Sequence, residues 1–235
     1  MTNLSVNVNK IAWLRNARGG KTPDIVELSK IIIDCGAAGI TVHPRPDLRH
    51  ITPEDVYQLR ELTLNENIEF NIEGNPYSEA NSKYPGFKEI IKIAKPDQCT
   101  LVPDSLEQIT SDHGWDFIKK DLDRDIELVE LLKEHTNRVS FFLDPVEDQL
   151  IGAKKVGADR IELCKNLDLD GLTPEINVIQ KTMKSVIVDS MMYTTDLIRK
   201  MNKQKVYNNQ KISDLEAEKY GTSKKQKILL KDTKI

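Results

Sequence analysis

The chain has 235 residues, enough for one large α/β domain or two small ones. Its net charge of -3 and charged fraction of 30% give no general argument for nucleic acid or a membrane surface as a partner. No apolar run is long enough to span a bilayer, the N-terminus lacks the apolar core of a signal peptide, and Cys35, Cys99 and Cys164 have no CxxC spacing, so we expect a cytoplasmic protein with free thiols.

Strand-like and helix-like patterns alternate along most of the chain. The predicted strands are residues 4–9, 39–43, 67–73, 98–102, 138–144, 159–164 and 185–189. Helices are predicted at 23–35, 84–94, 121–134, 146–156 and 174–183, and another begins after Thr52, with Pro53 and Asp55 in its first turn. This order predicts a parallel sheet with crossover helices, and six or seven such units favour a (β/α)8 TIM-type barrel over an open sheet.

The composition changes near residue 199. Residues 199–235 contain ten lysines, few apolar residues and no proline. We therefore expect a barrel domain over residues 1–198, incomplete or altered in its last two units, and a lysine-rich, weakly ordered tail over 199–235.

The loop after the second predicted strand is rich in cations. It offers His43, Arg45, Arg49 and His50 against one acid, Asp47. Guanidinium groups bind phosphate oxygens, and imidazoles titrate near neutral pH, so this loop suits a phosphorylated small molecule. The alternative is a solvated basic loop without a ligand.

Five of the predicted strands, those at 4–9, 39–43, 67–73, 138–144 and 159–164, have one apolar and one more polar face. The apolar faces should meet the helices, which leaves polar side chains pointing into the barrel. The polar residues closest to the carboxyl ends of the strands, where barrel enzymes carry their chemistry, are Asn9, His43, Glu73, Asp144 and Cys164. His43 and Glu73 could act as an acid/base pair, whereas the alternative is a purely structural hydrogen-bond network.

Several of these segments resemble pyridoxine 5'-phosphate synthase, the PdxJ family, over about residues 1–163. The resemblance rests on Ser5–Ala12, on the Leu-Arg-Asn-Ala-Arg-Gly run at residues 14–19, and on the His-x-Arg-x₃-Arg-His loop. Phe70–Glu73, Leu101–Asp104 and Gln108–Thr110 extend it. The family implies a barrel that condenses 3-amino-2-oxopropyl phosphate with 1-deoxy-D-xylulose 5-phosphate. Pyridoxine 5'-phosphate, inorganic phosphate and water are the products.

The resemblance also implies site residues, position by position. His43 and Glu73 match the family's proton acceptors. The contacts to the amino-ketone phosphate match Asn7 and Arg18, and those to the deoxyxylulose phosphate match Asn9, Lys10, Arg45, His50 and Thr110. The family needs no metal or organic cofactor and forms homo-oligomers, and its partners are small phosphorylated substrates.

Two departures from the family pattern affect the expected chemistry. The chain has Asn9-Lys10 where the family commonly has Asp-His, which changes the local charge. The later Asn-Ala-Gly-His and Ile-Gly-His-Ala motifs are absent, and the last histidine is His135, so the proton donor and half of the amino-ketone phosphate site have no counterpart.

A second, shorter resemblance begins near Gly157. Residues 157–174 are similar to the opening of the CutC family, which has been linked with copper handling. One cysteine and one glutamate do not form a copper site, so we expect no metal. The alternatives to a synthase are a phosphate-binding barrel with a replaced C-terminal third, impaired in catalysis, and a partner-binding protein that uses its lysine-rich tail.

Overall fold

The computed structural model describes residues 3–17, 19–108, 111–118 and 122–163. Within these ranges the chain forms an α/β fold of six strands and six helices. None of these helices is long and apolar enough to cross a membrane. The sixth strand ends the described part. The predicted seventh strand, the helix at 174–183, Cys164, the boundary near residue 199 and the tail all lie outside it.

The strands form one parallel sheet in which spatial order follows sequence order. Each strand pairs in parallel with the next, and a helix lies in every interval between successive strands. This is the order expected for consecutive units of a β/α barrel. The strands are β1 (Ser5–Asn7), β2 (Gly39–Val42), β3 (Glu69–Gly74), β4 (Gln98–Leu101), β5 (Arg138–Leu143) and β6 (Arg160–Leu163).

Five of the six helices were predicted, with ends that differ by a few residues. The helices are α1 (Asn9–Ala17), α2 (Ile25–Asp34), α3 (Pro53–Asn65), α4 (Phe87–Ala94), α5 (Asp123–Lys133) and α6 (Glu147–Lys155). Helix α1 was missed. The predicted strand at 4–9 is correspondingly too long, because Asn9 begins α1 rather than ending β1.

The predicted start of α3 is confirmed in detail. The Thr52 side chain accepts a hydrogen bond from the Asp55 amide at 3.2 Å, and the Asp55 carboxylate accepts one from the Thr52 amide at 2.8 Å. This reciprocal capping box satisfies two amides at the helix end that have no partner within the helix. It fixes where the chain leaves the cation-rich loop.

The apolar strand faces pack against the helices, as predicted. Their fully buried side chains join those of α3, α4 and α5 in one core cluster, which includes Val42, Ile72, Leu101, Phe141 and Ile161. Cys99 is buried in this core, whereas Cys35 is exposed at the end of α2.

The polar strand faces form hydrogen bonds that run across the sheet. Thr41 on β2 bonds to Ser5 on β1 at 2.8 Å, and Thr100 on β4 bonds to Asn71 on β3 at 3.0 Å. Arg160 on β6 reaches Glu69 on β3, three strands away, at 3.2 Å. A sheet must curl towards its polar face for such a contact to form, so the described part is a curled parallel half-barrel.

Candidate active site

His43 and Glu73 lie together at the carboxyl ends of β2 and β3. Val42 and Ile72 are paired in register, so the residues that follow them are neighbours. The imidazole Nδ1 of His43 is 3.9 Å from Oε2 of Glu73, and both residues are more than nine-tenths buried. Each lies on the polar face of its strand because its position alternates with that of the buried Val42 or Ile72.

The His43 ring is held in its neutral form. Burial lowers the pKa of His43 to about 3, and the neighbouring His50, Arg45 and Arg49 act in the same direction. The His50 ring stands edge-on to the His43 ring, with centroids 6.0 Å apart. Burial and the charge of Arg45 lower the pKa of His50 to about 4. At neutral pH both rings are therefore neutral, and Nδ1 of His50 accepts a hydrogen bond from the Ile51 amide at 3.0 Å.

The two arginines of the cation-rich loop hold the loop after β4. Arg45 donates to the carbonyl oxygens of Ser105 at 2.6 Å and Gln108 at 3.0 Å. Arg49 donates to the same Gln108 oxygen at 2.9 Å and to the Leu106 oxygen at 3.1 Å. Both guanidinium groups thus lie at the carboxyl end of the sheet. The loop is not simply solvated, because Arg45 is only 4% exposed.

The other site residues that were predicted from the sequence lie at different distances from His43. Asn7 on β1 donates to Oε2 of Glu73 at 3.4 Å, and Asn9 accepts a hydrogen bond from the backbone amide of His43 at 2.8 Å. Lys10 is exposed in the first turn of α1. Arg18 and Thr110 lie outside the described residues.

Asp104 belongs to this cluster and was not predicted as a site residue. Its Oδ2 atom accepts hydrogen bonds from Arg45 at 2.7 Å and Ser111 at 2.9 Å, and lies 3.8 Å from Nε2 of His43. Burial raises the pKa of Asp104, against the opposing effects of the Ser111 hydrogen bond and the Arg45 charge. The rule that polar residues collect at the carboxyl ends of parallel strands could have identified it, since it follows β4 by three residues.

A cavity of about 400 Å³ opens beside these groups. Its wall combines the ends of β2 and β4 with the loop that follows β3. It is lined by His43, Pro44, Arg45, Pro46, Asn75, Tyr77, Ser78, Glu79, Ala80, Asn81, Asp104, Ser105 and Leu106. The volume suits a small metabolite. A guanidinium, an imidazole and a carboxylate on one wall can bind an anionic group and exchange protons with it.

In the described ranges, no group of three or more His, Cys, Asp or Glu side chains is placed to hold a metal ion. The groups that the described residues do bring to the cavity can transfer protons next to positive charge.

Two family models match the chain, and they overlap in its middle. The model described as "Pyridoxal phosphate biosynthesis protein PdxJ" matches residues 4–167, and that of the CutC family matches residues 143–226. The first match contains every site residue predicted from the sequence. Both resemblances stated for the sequence are confirmed, the second over a longer segment than 157–174.

The curated proteins to which this chain is similar share one name. Pyridoxine 5'-phosphate synthase of Xanthomonas oryzae pv. oryzae (strain PXO99A) is 51% identical over 162 residues, which are 69% of this chain and 63% of the relative. The synthase of Xylella fastidiosa (strain M23) is 49% identical over 69% of this chain and 62% of the relative. The matched segment thus spans less than two thirds of the length of these relatives.

Among solved structures, the chain is similar to a thiamine phosphate pyrophosphorylase from Pyrococcus furiosus. The two share 14% sequence identity with a TM-score of 0.45, over 80% of this chain and 71% of the other. A likeness this weak supports no conclusion about this chain.

Proposed function

The chain belongs to the PdxJ family, and from this premise we propose that it is an enzyme of pyridoxine biosynthesis that acts on small phosphorylated substrates. The proposed reaction condenses 3-amino-2-oxopropyl phosphate with 1-deoxy-D-xylulose 5-phosphate. It releases pyridoxine 5'-phosphate, inorganic phosphate and water, without a metal or organic cofactor. Catalysis uses His43 and Glu73.

The pairing of His43 with Glu73 is the observation that carries this proposal. Condensation of an amine with a ketone, loss of water and ring closure all require protons to be removed and returned. A neutral imidazole 3.9 Å from a buried carboxylate can accept a proton, and the carboxylate then stabilises the imidazolium that forms. Both groups lie at the end of the sheet where barrel enzymes hold their substrates.

The cations around His43 support a phosphorylated substrate. Arg45, Arg49 and His50 lower the pKa of His43 in the free protein. A phosphate dianion bound near these groups would oppose their effect, because a negative charge favours the protonated imidazole. Substrate binding would therefore strengthen His43 as a base at the moment when it is needed.

The proposed fold of the whole enzyme is a closed (β/α)8 barrel whose last two units differ from those of the family. The parallel order of β1 to β6 and the curl of the sheet support closure. Residues 164–235 lie outside the described part of the chain.

Incubation of the purified protein with both phosphorylated substrates tests the function. We expect pyridoxine 5'-phosphate to form, and His43→Ala to abolish its formation because the proton acceptor is lost. His135→Ala is the matched control. His135 precedes β5, at the opposite end of the sheet, and its variant should keep the parent rate. A His43→Ala variant that works at the parent rate would contradict the assignment.

A second candidate is a barrel that binds phosphorylated ligands without turning them over. Two observations favour it: the CutC match over residues 143–226 and the lack of any histidine after His135. Titration calorimetry separates the two candidates. Binding of 1-deoxy-D-xylulose 5-phosphate with no product formed from both substrates would support the second.

A further inference from the structure

Asp104 is a buried carboxylate to which the family resemblance assigns no role. It follows β4 by three residues and lines the cavity together with His43 and Arg45. Its side chain is only 4% exposed. A carboxylate is kept in such a place only if nearby groups stabilise its charge.

Only one of the two carboxylate oxygens of Asp104 accepts hydrogen bonds from the residues that the structure describes. Its Oδ2 atom accepts hydrogen bonds from Arg45 at 2.7 Å and from Ser111 at 2.9 Å. Its Oδ1 atom is buried and accepts no hydrogen bond from any residue that the structure describes. The Arg45 charge opposes the effect of burial on the Asp104 carboxylate, and the same Oδ2 atom lies 3.8 Å from Nε2 of His43.

His43 therefore stands between two carboxylates, one at each ring nitrogen. Glu73 lies 3.9 Å from Nδ1 and Asp104 lies 3.8 Å from Nε2. A neutral imidazole carries one N–H group, so only one of these carboxylates can face a proton. The other faces a lone pair and raises the affinity of that nitrogen for a proton. The charged and titratable groups that surround the ring are Glu73, Asp104, Arg45, Arg49, Asp47 and His50.

We propose that Asp104 is a positioning residue of the site, which holds the Arg45 guanidinium at the cavity wall and keeps a negative charge next to Nε2 of His43. The role in turnover rests on the proposed function. Asp104 acts through two neighbours. It offsets the charge of Arg45, which would otherwise disfavour a proton on His43, and it stabilises the imidazolium formed when His43 accepts a proton from the substrate.

Nitrogen NMR of histidine-labelled protein tests this arrangement without any turnover. The four histidines give separate ring signals, and His43→Gln identifies that of His43. Asp104→Asn removes the negative charge and keeps the shape of the side chain. The nitrogen chemical shift of His43 Nε2 should therefore move towards the value of an unprotonated nitrogen. Ser111→Ala should move this chemical shift in the opposite direction, because Oδ2 of Asp104 then loses the hydrogen bond from Ser111 and interacts more strongly with His43. An unchanged Nε2 shift in both variants would overturn the proposal.

Measurements of kcat then separate the effect of the Asp104 charge from the effect of its shape. Asp104→Asn should lower kcat by at least about 10-fold, since the acid–base catalysis that it supports contributes about 10²–10⁴-fold. Asp104→Glu keeps the charge with a poorer fit and should retain more activity than Asp104→Asn. If shape alone mattered, the order of the two variants would be reversed, and that order would overturn the proposal.

Asp97→Asn is the control for loss of an aspartate–arginine ion pair, here a half-buried one. Asp97 lies just before β4, at the opposite end of the same strand, and accepts from Arg60 at 2.9 Å and from the Phe70 amide at 3.0 Å. This variant should lower the melting temperature and leave kcat unchanged. If the wild-type protein shows no turnover, the proposed function is refuted. The nitrogen chemical shifts of His43 still decide whether Asp104 positions its ring.

Discussion

Replacement of His43 by glutamine should make the stability of the protein less sensitive to acid. In the folded state, burial and neighbouring cations lower the pKa of His43 to about 3. In the unfolded chain the imidazole has an ordinary pKa of about 6.5. Below pH 6.5 the unfolded state therefore binds a proton that the folded state does not, and acid favours unfolding.

The magnitude follows from the difference between the two pKa values. Each unit of pKa difference corresponds to about 1.4 kcal/mol, so His43 alone could remove about 5 kcal/mol between pH 6.5 and 3. Above pH 6.5 this effect is absent. Between pH 6 and 5 the free energy of unfolding should fall by about 1 kcal/mol more in the wild type than in His43→Gln.

Urea unfolding at a series of pH values measures this difference directly. Variants with His43→Gln and with His50→Gln should each show a shallower dependence on pH than the wild type, because burial lowers the pKa of both rings. Equal slopes for the wild type and His43→Gln would show that His43 takes up its proton normally in the folded protein. The ring could then not be the neutral, buried base of the proposed site.

Three further predictions follow from other contacts. Thr52→Ala should cost about 1 kcal/mol of unfolding free energy in urea melts, since the capping box of α3 is lost, whereas Thr52→Ser should recover most of it. Phe141→Ala should cost about 3–5 kcal/mol, because this fully buried ring packs against Trp115 and Phe117; a loss below about 1 kcal/mol would refute that packing. Inorganic phosphate should raise the pKa of His43, seen as a ligand-dependent change in its ring titration, and Arg45→Ala should weaken this response.

The sequence predicts the β/α alternation well because the strands and helices differ clearly in their apolar period. The start of α3 was predictable for a local reason, since Thr52, Pro53 and Asp55 each favour one position in a helix end. The pairing of His43 with Glu73 follows from strand alternation together with the parallel order of β2 and β3.

Other features of the structure are not marked by apolar spacing, helix-cap residues or strand alternation. Helix α1 buries only Ala12 fully, while Trp13 and Leu14 are 56% and 50% exposed, so no apolar stripe marks it. Asp104 lies in a loop, so its position just after β4 marks it as a candidate, but strand alternation does not give the direction of its side chain. The partners of Arg45 include backbone carbonyl oxygens, which every residue carries, so no residue type in the sequence identifies them.

A crystal structure of the protein with 1-deoxy-D-xylulose 5-phosphate would test the central claim most directly. The account predicts that the ligand occupies the cavity beside β2 and β4, with its phosphate within hydrogen-bond distance of Arg45 and its carbon chain next to His43. A ligand bound elsewhere, with this cavity unchanged, would contradict the assignment of the site.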